Sequence, residues 1–129
     1  MAEIGAGSGV RSRSVGDLAV VYAGDYLNKL SGERIERECR MRLDAGCRAL
    51  VINFRETELV NSIGVSILLG VIDAAERTGA RLIFSDVNSQ TVQLFEMLGL
   101  TRHVALARDE QEALDTLKEF SSRPKAAGH

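Results

Sequence analysis

Strand-like and helix-like segments alternate from residue 47 onward, and this alternation constrains the fold more than any other feature of the chain. Residues 49–54 form a short, nearly unbroken apolar run, as expected for an inner strand covered by helices. Residues 62–78 then carry apolar side chains at helical spacing, and residues 81–87 return to a strand pattern. Strands that alternate with helices pair in parallel through right-handed crossovers. The sequence therefore predicts an α/β fold with residues 49–54 as its central strand.

The N-terminal part of the domain has the pattern of a hairpin instead. Residues 10–22 contain two strand patterns separated by a Gly-Asp pair, which suits a tight turn because glycine tolerates positive φ. After a turn-rich loop, Ser31 is placed to cap the first helix and Gly46 to end it. The later elements are a helix from Asn88, an edge strand at residues 103–106 and a helix from Asp109. We therefore expect a mixed sheet that begins with an antiparallel hairpin and has helices mostly on one face.

The helix predicted over residues 62–78 is apolar on most of its surface. Its main stripe is formed by Ile63, Ile67, Val71 and Ala74, with Leu69 among the residues that widen it, so we expect most of the helix to be buried. Gly64 and Gly70 each cost up to about 1 kcal/mol relative to alanine inside a helix. Close backbone packing is the expected reason for both glycines.

Composition excludes several classes of function. The 129 residues fit one domain, which we predict over residues 10–120 between a flexible arm, 1–9, and a flexible tail, 121–129. The net charge of −2 offers no basic excess for nucleic-acid binding, and no apolar stretch reaches the roughly 20 residues that span a bilayer. We expect a cytoplasmic protein with no nucleic-acid or membrane partner. Cys39 and Cys47 have no neighbouring His or Cys, so we expect reduced thiols, no metal and no cofactor.

Residue patterns of enzyme chemistry are scarce. No strand-to-helix junction has the glycine spacing of a phosphate-binding loop, and no acidic cluster at the strand ends fits a receiver domain. Ser62 lacks the glycine that a hydrolase elbow requires two residues earlier, because Val60 stands there. A base is also scarce, since His129 lies in the predicted tail and only His103 could serve. From the residues alone, Ser62 is either a plain helix N-cap or a regulatory site that tolerates an added negative charge.

Two segments resemble a known family. Residues 61–70, Asn-Ser-Ile-Gly-Val-Ser-Ile-Leu-Leu-Gly, resemble the D-S-[ST]-G-[LIV]-x-x-L-x-G signature of the anti-sigma factor antagonists, which are bacterial STAS-domain proteins. Residues 88–100, where a capped helix ends in a Gly-Leu pair, are similar to a later segment of that family. The matching order of elements covers roughly residues 10–120. The resemblance implies the STAS fold, a mixed sheet of four to five strands with about four helices.

The resemblance also implies a regulatory role and no catalytic residue. In that family, the unphosphorylated protein binds an anti-sigma factor that is also a serine kinase, and so releases the sigma factor. Phosphorylation of the motif serine breaks the complex, and a serine phosphatase restores it. By motif position, Ser62 is the phosphoacceptor. The expected partner-binding residues are Asp25, Asn28, Asn61, Ser62, Gly64 and Ser66, and a homodimer is left open.

Three positions depart from the family pattern. Asn61 and Asn28 stand where the family usually has aspartate, and Ile63 removes the second hydroxyl of the motif. If the two loops meet, the surface around Ser62 has lost up to two negative charges, which would alter the choice of partner. These changes favour a second hypothesis, a STAS scaffold or signalling module of the stressosome type that is never phosphorylated. A small-molecule binder or a Ser62-dependent hydrolase is the third.

Overall fold

The structure, a computed structural model, describes residues 9–122, with side chains described up to residue 119. Most of the predicted arm and tail lies outside the described residues. Within residues 9–122, no helix combines the length and apolarity needed to cross a membrane. The strands are β1 Ser12–Val15, β2 Leu18–Tyr22, β3 Tyr26–Leu27, β4 Ala49–Asn53, β5 Leu59–Val60, β6 Arg81–Ser85 and β7 Ala105–Ala107; the helices are α1 Lys29–Asp44, α2 Ser62–Thr78, α3 Ser89–Met97 and α4 Glu110–Ser122, with a 3-10 turn at Leu100–Arg102.

Five of the strands form one mixed sheet in the order β1-β2-β4-β6-β7. β1 pairs antiparallel with β2, and the remaining neighbours are parallel. All five residues of β4 are buried, because this strand lies at the centre and is covered on both faces. The predicted α/β class, the N-terminal hairpin and the central strand are confirmed.

The helices divide unequally between the two faces of the sheet. On one face, Val21, Ile52 and Phe84 join a core cluster that takes in buried side chains of α1, α2 and α3. On the other face, Val20, Val51 and Ile83 pack against Ala113, Leu114 and Leu117 of α4. Alternate strand residues therefore serve two separate cores, as the two-residue period of a strand requires. The expectation of helices mostly on one face is confirmed.

Two local predictions are wrong. α1 begins at Lys29 and is capped by Asn28, whereas Ser31 is the third helical residue and completes a capping box. In α2, Val71 and Ala74 of the predicted stripe are buried, but Ile63 is 51% exposed, and Leu69, which was predicted to widen the stripe, is 41% exposed. The buried face runs through Gly64, Val65, Leu68, Val71, Ile72, Ala74 and Ala75. A helix that is apolar nearly all round does not reveal by periodicity which side faces the core.

Candidate functional site

A second, two-stranded sheet joins the two loops that carry most of the predicted site residues. β3 pairs in parallel with β5, setting Tyr26 opposite Leu59 and Leu27 opposite Val60. The backbone N–H groups of Glu58 and Leu59 donate to the carbonyl oxygen of Asp25 at 2.8 and 3.1 Å. The Asp25 loop and the loop before Ser62 therefore form one surface.

Helices α1 and α2 leave this small sheet side by side and run in the same direction. A Cβ atom on Gly32 of α1 would lie 3.1 Å from Cδ1 of Ile67 in α2. A Cβ atom on Gly64, in the first turn of α2, would lie 2.6 Å from the carbonyl oxygen of Leu27. Close packing is thus confirmed at Gly64, and it holds both helix N-termini at the same end of the molecule.

Both asparagines that replace the family's aspartates are helix N-caps. The side-chain oxygen of Asn61 accepts a hydrogen bond from the Gly64 N–H at 2.8 Å. The side-chain oxygen of Asn28 accepts from the Ser31 N–H at 3.0 Å, and the Ser31 hydroxyl oxygen accepts from the Asn28 N–H at 3.0 Å. Asparagine and aspartate cap helices about equally well. The substitutions therefore keep the two helix starts and remove two charges from the surface that they share.

Ser62 is the first residue of α2 and is exposed. Because Asn61 occupies the cap position, the interpretation of Ser62 as a plain N-cap is wrong. Within residues 9–122, no hydrogen bond engages the Ser62 hydroxyl. The first N–H groups of a helix lack intrahelical partners and carry the positive end of its dipole. A negative charge added to the Ser62 oxygen would be stabilised by this position.

The other predicted site residues differ in accessibility. Asp25 and Ser66 are exposed, and the Ser66 hydroxyl donates to the Ser62 carbonyl oxygen at 3.2 Å, one turn further along α2. Asn28 is half-buried beneath its capping bonds. Gly64 is buried against Leu27, so the structure gives it a packing role behind the surface.

Sequence reasoning missed an apolar patch around Ser62, formed by Tyr26, Leu30, Leu59 and Ile63. These side chains are 42%, 58%, 62% and 51% exposed. Tyr26 and Leu59 are paired across the small sheet, Leu30 lies in the first turn of α1, and Ile63 follows Ser62. Exposed apolar patches of this kind, with charged neighbours such as Asp25 and Glu58, mark protein-docking surfaces. The available sequence signal was the presence of Tyr26 and Leu59 in turn-rich loops outside any periodic run.

Among the described residues, no histidine lies near Ser62 to serve as its base. The Nδ1 atom of His103 lies 3.4 Å from a carboxylate oxygen of Glu76, which is near the C-terminal end of α2. Fourteen residues separate Ser62 from Glu76 along the helix, a distance of roughly 21 Å at the helical rise. His103 and Ser62 therefore do not act on one substrate, and His129 lies outside the described residues.

Neither thiol is set up for chemistry, and no metal centre is formed by the part of the chain that the structure describes. Burial raises the pKa of the Cys39 thiol well above its usual range, and burial also raises the pKa of the half-buried Cys47. A raised pKa keeps a thiol protonated and poorly nucleophilic. Across residues 9–122, no three His, Cys, Asp or Glu side chains lie close enough to hold a metal ion.

Comparisons with known proteins agree with this geometry. The family model described as STAS domain matches residues 11–113. The anti-sigma F factor antagonist of Paenibacillus polymyxa is 25% identical over 108 residues, which cover 78% of this chain and 92% of that protein.

Solved structures of similar proteins have the same fold. The anti-sigma factor antagonist SpoIIAA in its unphosphorylated form matches with a TM-score of 0.73 and 21% identity, over 85% of this chain and 96% of its own. The Bacillus cell fate determinant SpoIIAA in its phosphorylated form matches with a TM-score of 0.67 and 22% identity, over 84% of this chain and 98% of its own. A chain of the stressosome, which is described as a signal integration and transduction hub, matches with a TM-score of 0.72 and 22% identity, over 87% of this chain and 99% of its own.

Proposed function

The chain belongs to the STAS domain family, and we propose that it acts there as an anti-sigma factor antagonist whose binding is switched off by phosphorylation of Ser62. The observation that carries this proposal is the position of Ser62, an exposed hydroxyl at a helix start beside an apolar patch. The curated relative from Paenibacillus polymyxa is named as an antagonist of this kind. SpoIIAA, which has a similar fold, is known in unphosphorylated and phosphorylated forms.

In the unphosphorylated state, the apolar patch provides the centre of the docking surface. Each of its four side chains is about half exposed. Covering the exposed half of such a side chain contributes roughly 1 kcal/mol. The polar groups of Asp25, Asn28, Asn61 and Ser66 then lie at its edge and orient the partner.

Phosphorylation would change this surface by charge and not by refolding. A phosphate adds about −1.5 to −2 charges, and the N-terminus of α2 stabilises it without any rearrangement. The same charge lies next to Ile63, whose exposed side chain must be dehydrated on docking. Burying an unpaired charge costs several kcal/mol, so the complex would weaken by at least about 100-fold.

Two partners are proposed. One is an anti-sigma factor that is also a serine kinase, and the other is a serine phosphatase that restores binding. With these partners, the protein would act in the cytoplasm. The complementary surface of the kinase would be apolar at its centre. Its rim would face amides where other family members present carboxylates, since Asn28 and Asn61 are caps without charge.

A second candidate function is favoured by the same two asparagines. A STAS scaffold that assembles constitutively with other STAS domains uses the docking surface without a phosphate switch. A chain of the stressosome, which is described as a signal integration and transduction hub, has a similar fold. Loss of the two carboxylates would impair recognition by a kinase that expects them, while leaving the apolar patch intact.

Intact-mass analysis of the protein from its native cells, with fragment mapping of residues 53–77, distinguishes the two functions. The Ser62→Ala variant is the test, and Ser66→Ala is the matched control because Ser66 is the exposed hydroxyl one turn away. The switch predicts one phosphate that Ser62→Ala removes and Ser66→Ala keeps. It also predicts that a kinase co-purifies with the unphosphorylated form. Absence of phosphate under every growth condition, with other STAS domains co-purifying, would establish the scaffold instead.

A further inference from the structure

Three neighbouring strands each end in a polar residue whose side chain lies on the face of the sheet that α4 covers. Tyr22, Asn53 and Ser85 are register partners across β2, β4 and β6. They point to the α4 side because Val20, Val51 and Ile83, two residues earlier, pack against α4. The Ser85 hydroxyl is fully buried and has no hydrogen-bond partner within the described residues. In open α/β sheets, the carboxyl ends of parallel strands are where ligands bind.

Glu110, the first residue of α4, lies beside this row and takes part in a network of charged hydrogen bonds. One carboxylate oxygen of Glu110 accepts a hydrogen bond from the Asn53 amide at 2.9 Å, and the other accepts from the guanidinium of Arg13. Burial opposes ionisation of Glu110, but the hydrogen bonds from Arg13 and Asn53 outweigh it, so the pKa of Glu110 is lowered. The Arg13 Nε also donates to the Tyr22 hydroxyl oxygen at 3.1 Å. Tyr22 also contributes a side-chain hydrogen bond that lowers the pKa of Glu110, so the negative charge of Glu110 is already paired within this network.

A cavity of about 240 Å³ lies at these strand ends, and Arg11 and Arg55 both line it. The Arg11 guanidinium lies 4.3 Å from the centre of the Tyr22 ring and only 3.7 Å from the exposed carboxylate of Glu56. The Arg55 guanidinium has no side-chain hydrogen bond or ion pair within residues 9–122. Two carboxylates, those of Glu56 and Glu110, also line the cavity, but the charge of Glu110 is paired with Arg13. The guanidinium groups of Arg11 and Arg55 therefore stand against the one solvated carboxylate of Glu56. The cavity therefore has an excess of positive charge.

We propose that this cavity binds a small oxyanion, a free molecule with a phosphate or carboxylate group, between the guanidinium groups of Arg11 and Arg55. Guanidinium groups bind such anions through paired, charge-assisted hydrogen bonds. A cavity of about 240 Å³ has room for a small metabolite.

This site is separate from the docking surface and lies on the opposite face of the sheet. Its connection to that surface is the segment of residues 55–58, which contributes Arg55 and Glu56 to the cavity and leads through β5 to Ser62. The Arg55 N–H donates to the side-chain oxygen of Asn53 at 2.7 Å, which holds the start of this segment against the strand. An anion bound there contacts the chain seven residues before the proposed phosphoacceptor.

Amide chemical-shift titration of the full chain tests the proposal, with inorganic phosphate and succinate as separate probes at constant ionic strength. We expect saturable shifts at Asn53 and Arg55 with at least one probe, and the responding probe identifies the anion class. Arg55→Gln and Arg11→Gln should each weaken binding at least tenfold. Arg108→Gln is the control, because Arg108 is 84% exposed and pairs with Glu112 away from the cavity.

Two outcomes would overturn the proposal. One is a shift that rises linearly with both probes and is the same in Arg55→Gln as in the wild type, which is nonspecific screening. The other is saturable binding that maps to Ser62 and the N-termini of α1 and α2. Thermal unfolding of each variant, measured alongside, shows that the exposed arginines are replaced without loss of fold.

Discussion

Replacing Gly64 by alanine tests the close approach that builds the proposed docking surface. The added Cβ atom would lie 2.6 Å from the carbonyl oxygen and 2.8 Å from the Cγ atom of Leu27, closer than real Cβ contacts allow. The backbone of β3 must move, and the hydrogen bond from the Asn61 N–H to the Leu27 oxygen, 2.9 Å long, must change with it. Overpacking of this kind costs typically 1–3 kcal/mol.

Gly70→Ala is the matched control, because it adds the same methyl group to the same helix. There the Cβ atom meets only the carboxylate oxygen of the flexible Glu36 side chain, at 3.2 Å. Alanine is more favourable than glycine inside a helix by up to about 1 kcal/mol, so Gly70→Ala should raise the free energy of unfolding. For Gly64→Ala the cost of overpacking outweighs the same gain, and we expect the free energy of unfolding to fall by about 1–2 kcal/mol. The free energies of unfolding of the two variants should therefore differ by roughly 2–3 kcal/mol.

Urea denaturation of both variants measures this difference, and thermal unfolding should place Gly64→Ala roughly 4–8 °C below the wild type. Amide chemical shifts give a local readout, since the signals of Leu27 and Asn61 should move in Gly64→Ala and stay in place in Gly70→Ala. If both variants are more stable than the wild type by similar amounts, the packing of α2 against β3 described above is refuted.

Five further substitutions, grouped in three tests, have expected outcomes. Asn61→Asp should change the free energy of unfolding by less than about 0.5 kcal/mol while Asn61→Ala lowers it by about 1 kcal/mol, and equal losses in urea denaturation would contradict the capping role. Glu38→Ala should lower the free energy of unfolding by about 3 kcal/mol, because buried Glu38 bonds to groups on β1 and α1. Glu33→Ala, which removes an exposed ion pair, should lower it by less than about 1 kcal/mol. The lowered pKa of Glu110 stabilises the fold above the ordinary carboxyl pKa of 4.5, and this contribution is lost as the pH falls further. Thermal unfolding from about pH 5 to pH 3 should therefore show a steeper fall for the wild type than for Glu110→Gln, and parallel curves would contradict the network.

The fold followed from the sequence because its signals are local. The boundaries predicted for α2, residues 62 to 78, coincide with the observed Ser62–Thr78. The helix ends where Gly79 adopts a φ of 76°, a conformation that glycine reaches without strain. The hairpin turn at Gly16 and the end of α3 before Gly99 were marked in the same way, with φ values of 63° and 84°.

The choice of cap was not decided by local signals. Asn61 and Ser62 are both good N-cap residues, and either could begin the helix. The hydrogen bond from the Asn61 N–H to Leu27 holds residue 61 in an extended conformation, with φ −103° and ψ 169°. Pairing with a strand 34 residues earlier therefore moved the cap by one position and released the Ser62 hydroxyl.

The sequence by itself determined the order of the helices and of the five strands of the main sheet, the central strand, the bounds of α2 and the position of Ser62 at the start of a helix. It could do so because periodicity, caps and glycines act over a few neighbouring residues. Only the tertiary structure decided which side of α2 is buried, since Ile63 and Val65 are equally apolar and their exposure depends on what packs against them. It also decided the pairing of β3 with β5, two residues each, which are too short to produce a periodic signal. The proposed docking surface depends on both of these long-range contacts, so its apolar patch became visible only in the folded chain.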